Sequence, residues 1–432
     1  MNVMANDFNS LIPDTRRFLE QEMKHLIGDN WVKSKDSGSF SVIDPSSGSV
    51  LTEIPKGTYQ EIDEAVQVAN TTLNDPLWRD MPPASREKLM HRFADLIEGH
   101  AEELGQLEAL DVGMPSVVGQ FVEVGNVIET LRYMAGWPTK LNGKTMDIGE
   151  PIPEKRFFAY TKREPVGVVG AIIPWNVPLM IAMWKIAPTL ATGCTIVIKP
   201  SEVTPLATLR LAELALDAGI PPGVINVVNG LGNEAGQALV EHPLVSKISF
   251  TGSVMTGKLI NKTATDTLKN VTLELGGKSP VILLDDADLE KASKGISMGI
   301  FGNTGQVCVA GSRLYIQRGV FDEAVDRISK EARSLKVGPG LHPETKIGPL
   351  VSKEHRDKVI SYIDAGLKSG AETITGGSVI EGPGYYIEPT VLSNVSQSSK
   401  VVQEEIFGPV ITAIPFDDLD EAAHLANDTS YG

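Results

Sequence analysis

Apolar positions along this chain follow two periods, and the change between them marks its parts. The runs Phe40–Ile43 and Val50–Ile54 flank Asp44-Pro45-Ser46-Ser47-Gly48, which predicts two short strands joined by a turn. From Gln60 the spacing turns helical, with Ile62, Ala65, Val66, Val68 and Ala69 on one face. Further helices are predicted from Pro83 through Ile97, over Ala101–Leu110 and over Val117–Met134, and all read as scaffold. Residues 137–163 break the pattern with Trp137-Pro138, Asn142-Gly143 and Pro151-Ile152-Pro153. Phe157–Arg163 then reads as a strand, so this stretch predicts a projecting hairpin arm. An exposed aromatic strand invites pairing with another chain; a covered internal hairpin is the alternative.

From Pro165 to about Glu274, strand-like runs alternate with helices. The runs are Val166–Ile173, Thr195–Ile198, Val224–Val228 and Lys247–Phe250, each followed by a helical stretch. That alternation predicts a parallel sheet covered on both faces. Such sheets bind ligands at the carboxyl ends of their strands, and the motifs below are expected at such ends. A second α/β unit starts at Pro280–Leu284. It continues through Arg313–Ile316, helices near Phe321–Ala332 and Glu354–Leu367, and a last strand at Val410–Ile414.

Composition narrows the function. The chain has 432 residues and a formal charge of −16, which argues against a binder of nucleic-acid backbone. The start, Met1-Asn2-Val3-Met4, lacks the basic and apolar regions of a signal peptide. No apolar run reaches the roughly 18 residues a membrane span needs. Two cysteines cannot build a disulfide framework or a structural zinc site. The expectation is a cytoplasmic protein in a reducing compartment.

One of those cysteines, Cys308, closes Phe301-Gly302-Asn303-Thr304-Gly305-Gln306-Val307-Cys308. Upstream, Leu273-Glu274-Leu275-Gly276-Gly277-Lys278 offers a carboxylate between apolar residues before a tight glycine turn. A thiol and a carboxylate suit covalent catalysis on a carbonyl, with the carboxylate later activating water. A buried inert cysteine is the plain alternative, and it is the favoured reading for Cys194. Ile173-Pro174-Trp175-Asn176 ends a strand, and Asn176 can donate to a developing oxyanion, with the Cys308 amide as second donor; it can equally cap a turn. Lys199 and Glu202, in Lys-Pro-Ser-Glu, could grip a ribose, and Glu202 would repel a 2′-phosphate. Gly252 and Ser253 open a helix whose N-terminus can cradle a pyrophosphate. Glu405 and Phe407 read as one face of a short extended segment suited to the nicotinamide end. Gly230-Leu231-Gly232 reads as an ordinary loop.

Taken together and in this order, the chain resembles the aldehyde dehydrogenase superfamily. Six segments carry the resemblance: Pro174–Asn176, Lys199–Glu202, Phe250–Ser253, Glu274–Lys278, Gly305–Cys308 and Glu405–Pro409. It implies an α/β fold, with a Rossmann-like parallel-sheet NAD-binding domain over 1–144 and 164–274. It further implies an oligomerisation arm over 145–163 and a catalytic α/β domain over 275–432. By the resemblance Cys308 is the nucleophile, Glu274 the general base, Asn176 an oxyanion donor and Lys185 an organiser of the site. Ile173, Trp175, Lys199, Glu202, Gly252, Ser253, Leu275, Glu405 and Phe407 are expected to hold NAD. No metal is expected, and a homodimer or homotetramer is.

The sequence departs from the family pattern at Thr304, where glutamine is usual. The resemblance also implies a further segment beyond Gly432 that would complete the catalytic domain and the substrate tunnel and add an intersubunit strand. Without it the chain is expected to be unstable or inactive. A CoA-acylating relative and a structural homologue are the alternatives; Glu274 argues against the first, the intact Cys308, Glu274 and Asn176 against the second. Val177, Trp184 and Phe301 are expected to line the tunnel. The flavour of Tyr133–Trp137 and Val309–Arg313 is similar to bacterial enzymes for arylacetaldehydes.

Overall fold

The computed structural model describes residues 5–35, 38–149, 152–153 and 155–431, so the readings on Met1–Met4, Pro151 and Gly432 lie outside them. Strands β1 (His25–Ile27) and β2 (Asn30–Val32) form a tight antiparallel pair. Strands β3 (Ser39–Asp44) and β4 (Ser49–Pro55) form the expected hairpin. The Asp44 carboxylate closes its turn by accepting from the Ser46 amide and the Ser47 hydroxyl, at 2.9 and 2.8 Å. The arm is slighter than expected: β5 (Thr145–Met146) pairs with β6 (Ala159–Tyr160) over two residues each. Its aromatic side chains still face outward, with Phe158 78% and Tyr160 65% exposed.

The first large sheet contains β7 (Val168–Ile172), β8 (Thr195–Lys199), β9 (Ile225–Val227), β10 (Val245–Gly252) and β11 (Asn270–Leu275). Its order is β11-β10-β7-β8-β9-β1-β2. The five strands from β7 to β11 run parallel, as expected. The sheet is mixed, because β1 adds antiparallel to β9. Strand order reverses beside β7, which makes the gap between β7 and β10 the topological switch point. Both faces are covered. Val169, Ala171, Ile196 and Ile198 point into one core with Phe93, Leu131 and Leu190. Val168, Ile172 and Val197 point into another with Ile62, Val66 and Leu239.

The second sheet holds β12 (Pro280–Leu283), β13 (Arg313–Gln317), β14 (Glu372–Thr375), β15 (Thr390–Ser393) and β16 (Val410–Phe416), in the order β12-β13-β16-β15-β14. All neighbours are parallel except β14 with β15. It is also sandwiched: Leu314, Ile316 and Ile411 face one core, Tyr315, Leu392 and Ile414 the other.

Most helices lie where the periodicity puts them, including Tyr59–Asn74, Pro83–Gly99, Ala101–Asp111, Phe321–Ser334 and Lys353–Lys368. The stretch predicted as one helix over Val117–Met134 is broken. A π turn at Gly119–Glu123 separates Ser116–Val118 from the helix Val124–Ala135. Among the described residues no helix is long and apolar enough to cross a membrane.

Candidate active site

Four of the six motifs follow strands of the first sheet at their carboxyl ends: Asn176 after β7, Lys199 and Glu202 at β8, Ser253 after β10, Glu274 near the end of β11. The expectation that every motif sits at such an end fails for the other two. Cys308 precedes β13 and Glu405–Phe407 precede β16, so the second sheet presents the amino ends of its strands. The site is the seam where these opposite ends meet.

Backbone carries much of that seam. The Asn176 side-chain amide, buried at 3% exposure, donates to the Gln306 carbonyl at 2.8 Å. Asn303 returns the link by donating to the Asn176 carbonyl at 2.9 Å. Gln306 is locked in turn, its side-chain oxygen accepting from the Val351 amide at 3.0 Å. Asn303 and Thr304 both have positive φ, 46° and 57°, which folds the loop sharply ahead of Cys308. The departure at Thr304 thus has a local role: its hydroxyl is buried and donates to the Gly348 carbonyl at 3.1 Å. On the other side, a Cβ at Gly277 would lie 2.5 Å from the Cys308 carbonyl oxygen, so only glycine lets the Glu274–Lys278 turn pass there.

Cys308 is half-buried. Burial pushes its thiol above the ordinary value; the Glu405 and Glu274 carboxylates push the same way, while the Cys308 and Val309 amides oppose them. The thiol is therefore mostly protonated at neutral pH until a base takes its proton. Glu274 is exposed on β11, in register with Thr251 of β10. It faces Lys185, whose ammonium donates to Thr251 at 2.9 Å and Ser249 at 3.2 Å. Burial pulls Lys185 down to about 8, with Glu274 opposing and Lys247 reinforcing. A groove of about 420 Å³ runs beside Lys185, lined by Val166, Trp184, Thr189, Lys247 and Ser249 among others. Trp184 thus stands at a cavity wall, but Phe301 does not line a tunnel: it is 1% exposed and packs in the core of the second sheet.

The residues expected to hold the nucleotide lie along the same strand ends. Lys199 is 3% exposed and donates to Glu202 at 3.0 Å. Ser253 caps the helix Val254–Ala264 by accepting from the Thr256 amide at 3.2 Å. Ile173 is buried in the core, and its amide extends the sheet by bonding to the Lys199 carbonyl at 3.2 Å. Leu275 packs on Gly257 of that same helix. Glu405 accepts from the Gly277 amide at 3.1 Å. Phe407 is not extended as expected: its φ is +62°, and its ring stands edge-on to Trp175 at 5.2 Å between centroids.

Sequence reasoning missed His355. Its Nε2 donates to the Phe407 carbonyl at 2.6 Å, and its ring packs on Trp175 at 5.0 Å. Burial pulls it down to about 4, so it is neutral. Ser352, capping its helix, was the one nearby signal, and it says nothing of the ring. Gln306, Asn303 and Thr251 were likewise unassigned because their roles depend on contacts distant in sequence.

A doubly wound sheet with a polar cluster at its switch point, facing a second α/β unit across a seam, is the frame of a dinucleotide-dependent oxidoreductase. The sequence profile described as the aldehyde dehydrogenase family matches residues 31–432, and the chain belongs to that family. It is similar to a phenylacetaldehyde dehydrogenase of Pseudomonas fluorescens, at 46% identity over 94% of this chain and 82% of that protein. It is 42% identical to aldehyde dehydrogenase 1A1 of Gallus gallus, over 95% of this chain and 80% of that one. The structure of a Bacillus cereus aldehyde dehydrogenase complexed with NAD superposes with a TM-score of 0.94 at 44% identity, covering 100% of this chain and 86% of that one. The protein is an NAD-dependent oxidoreductase acting on aldehydes.

Proposed function

We propose that the protein oxidises an aldehyde to a free carboxylic acid with Cys308 as nucleophile and Glu274 as base. The observation that carries this is the Asn176–Gln306 bond of 2.8 Å, which fixes a side-chain amide beside the Cys308 loop with one N–H left over. Glu274, directly or through water, takes the Cys308 proton as sulfur bonds to the aldehyde carbon. The new oxyanion accepts from that second Asn176 N–H and the Cys308 amide, each such donor worth about 3 kcal/mol in the transition state. The chemistry that bound NAD would supply is hydride acceptance, and loss of that hydride from the Cys308 thiohemiacetal would leave a thioester. Glu274, having passed the thiol proton to solvent, then removes a proton from water, and hydroxide adds to the thioester carbon. As the C–S bond breaks, that proton returns from Glu274 to the leaving thiolate, releasing acid and thiol.

The residues present fit the nucleotide. Lys199 and Glu202 would hold the adenosine ribose, with Glu202 disfavouring a 2′-phosphate. Ser253, beside Gly252 at the helix N-terminus, would take the pyrophosphate. Trp175, Leu275, Glu405 and Phe407 would bound the nicotinamide end. The division into 1–144 with 164–274, an arm over 145–163 and 275–432 follows the two sheets, and the exposed arm aromatics support assembly of like chains. A cytoplasmic location fits two unpaired cysteines. The phenylacetaldehyde dehydrogenase relative supports an arylacetaldehyde as substrate.

NADH formation with a panel of aldehydes including phenylacetaldehyde, run beside Cys308→Ala, tests this. Turnover in the parent alone, yielding acid whether or not CoA is present, is the result this reading expects, and it would also overturn the expectation of an unstable or inactive chain. Turnover retained by Cys308→Ala, or strict dependence on CoA, overturns it.

A further inference from the structure

Two carboxylic acids that the proposed mechanism does not use lie inside the first domain. Glu108, on the helix Ala101–Asp111, is fully buried, and Glu123, at the end of the π turn, is 3% exposed. Burying isolated charge is costly, so such groups pair or stay neutral. Among the described residues no lysine, arginine or histidine is hydrogen-bonded or ion-paired to either carboxyl. Neither oxygen of Glu108 has a conventional partner, and one oxygen of Glu123 has none. Asp111, one turn further along the same helix, is the other charged group facing Glu108; its own carboxylate accepts from the Leu206 amide at 2.8 Å.

The backbone is shaped to bring these acids together. A Cβ at Gly105 would lie 2.7 Å from the Gln120 amide nitrogen, and one at Gly119 would lie 3.1 Å from the Gly105 Cα. Two facing glycines thus seat the π turn directly on the helix of Glu108. The extra residue of that turn rotates Glu123 inward, a use of π turns that recurs at functional sites. There Glu123 accepts from the Met180 amide at 3.2 Å, in the first turn of the helix Pro178–Thr192. That helix starts two residues after Asn176 and carries Lys185.

We propose that Glu108 and Glu123 share one proton and act as a positioning dyad for Asn176 and Lys185. Glu108 is the protonated member and donates to Glu123. Glu123 is the anion, held by the free amides and positive end of the helix. That proton accounts for one of the two Glu108 oxygens that lack a partner and for the unpartnered oxygen of Glu123. Burial raises both acids above the ordinary carboxylate value; the Glu123 and Asp111 carboxylates raise Glu108 further, whereas the Met180 amide and the bond from Glu108 hold Glu123 down. Removing the shared proton leaves two like charges in contact beneath the first turn of the helix, and Asn176 is displaced from Gln306. This inference deepens the functional reading and rests on it for its catalytic consequence only.

Two measurements separate the dyad from that reading. Infrared spectroscopy at neutral pH reads the C=O stretch of protonated carboxyls without any turnover. A band present in the parent should weaken in Glu108→Gln, with any Asp111 contribution unchanged; identical spectra overturn the proposal. The native state also holds one proton that unfolded glutamates release above about pH 4.3. The parent's unfolding constant should therefore rise about tenfold more per pH unit than that of Glu108→Gln between about pH 5 and 8. In turnover, Glu108→Gln keeps a donor to Glu123, so the ratio of its kcat to the parent's should climb with pH. Glu108→Ala should lose at least about tenfold in kcat at unchanged KM for NAD. A constant kcat ratio across pH, with the infrared band intact, removes the positioning role.

Discussion

Replacing Asn176 with alanine should slow turnover by about 10²–10³-fold while leaving NAD affinity unchanged. The amide has two N–H groups: one is spent on Gln306 at 2.8 Å, and the other is the one assigned to the oxyanion. Losing that second donor costs about 3 kcal/mol of transition-state stabilisation, which at about 1.4 kcal/mol per decade accounts for the expected rate loss. Losing the first leaves the Gln306 carbonyl unpaired, worth about 1 kcal/mol of stability, small beside the catalytic term. None of the Lys199, Glu202 or Ser253 contacts involves Asn176, so nucleotide binding has no reason to change. The assay is initial-rate NADH formation, with NAD binding by calorimetry and a thermal scan on the same sample. Asn303→Ala is the control: it removes the donor to the Asn176 carbonyl, 2.9 Å away, but spares the amide, and should cost less than about tenfold. A kcat within about threefold of the parent for Asn176→Ala would refute the oxyanion assignment. A matching loss of NAD affinity would instead show a collapsed site.

Three further outcomes are expected. Alkylation of Cys308 should be slow at neutral pH and climb steadily with pH, because burial, Glu405 and Glu274 disfavour the thiolate; Glu405→Gln should quicken it severalfold, and a rate flat between about pH 6 and 9 would contradict that picture. Lys185 sits at about 8 against 10.5 unfolded, so the native state binds fewer protons between those values and stability rises with pH across that window. Lys185→Met should therefore stabilise the protein below pH 8 by about 1–2 kcal/mol, less than the roughly 3 kcal/mol of the full shift because Ser249 and Thr251 lose a donor, and the gain should shrink by pH 10; denaturation at both pH values checks this. His355→Leu should weaken NAD binding several-fold by freeing Phe407, with His355→Gln recovering part of it; since His355 is neutral above about pH 4, the defect should not vary between about pH 6 and 9, and a pH-dependent defect would count against it.

The β-α alternation after Pro165 was readable because each parallel strand is apolar on both faces, as Ile196, Val197 and Ile198 illustrate. β1 and β2 escaped notice because three residues carry too little pattern. β11 was read only as a setting for Glu274, since its alternating exposed and half-buried residues mark an edge strand with one open face. The break at Gly119 is invisible to periodicity, because a π turn delays the repeat by a single residue before it resumes. Phe407 was expected in an extended segment because nothing in Glu-Ile-Phe-Gly-Pro announces a left-handed backbone; that conformation depends on His355, fifty-two residues away. Cys308, Glu274 and Asn176 were recognised by type and order, but the bond that brings Asn176 to the Cys308 loop spans two sheets and belongs to the tertiary structure alone.

The edge-on packing of Trp175 between His355 and Phe407 has an optical consequence. The chain has five tryptophans, and this one faces the expected nicotinamide end. Reduced nicotinamide absorbs in the range where indole emits, so Trp175 should transfer its excitation to a bound NADH. Each turnover would then dim the protein's own fluorescence until the product leaves, and cofactor release could be followed without any added label.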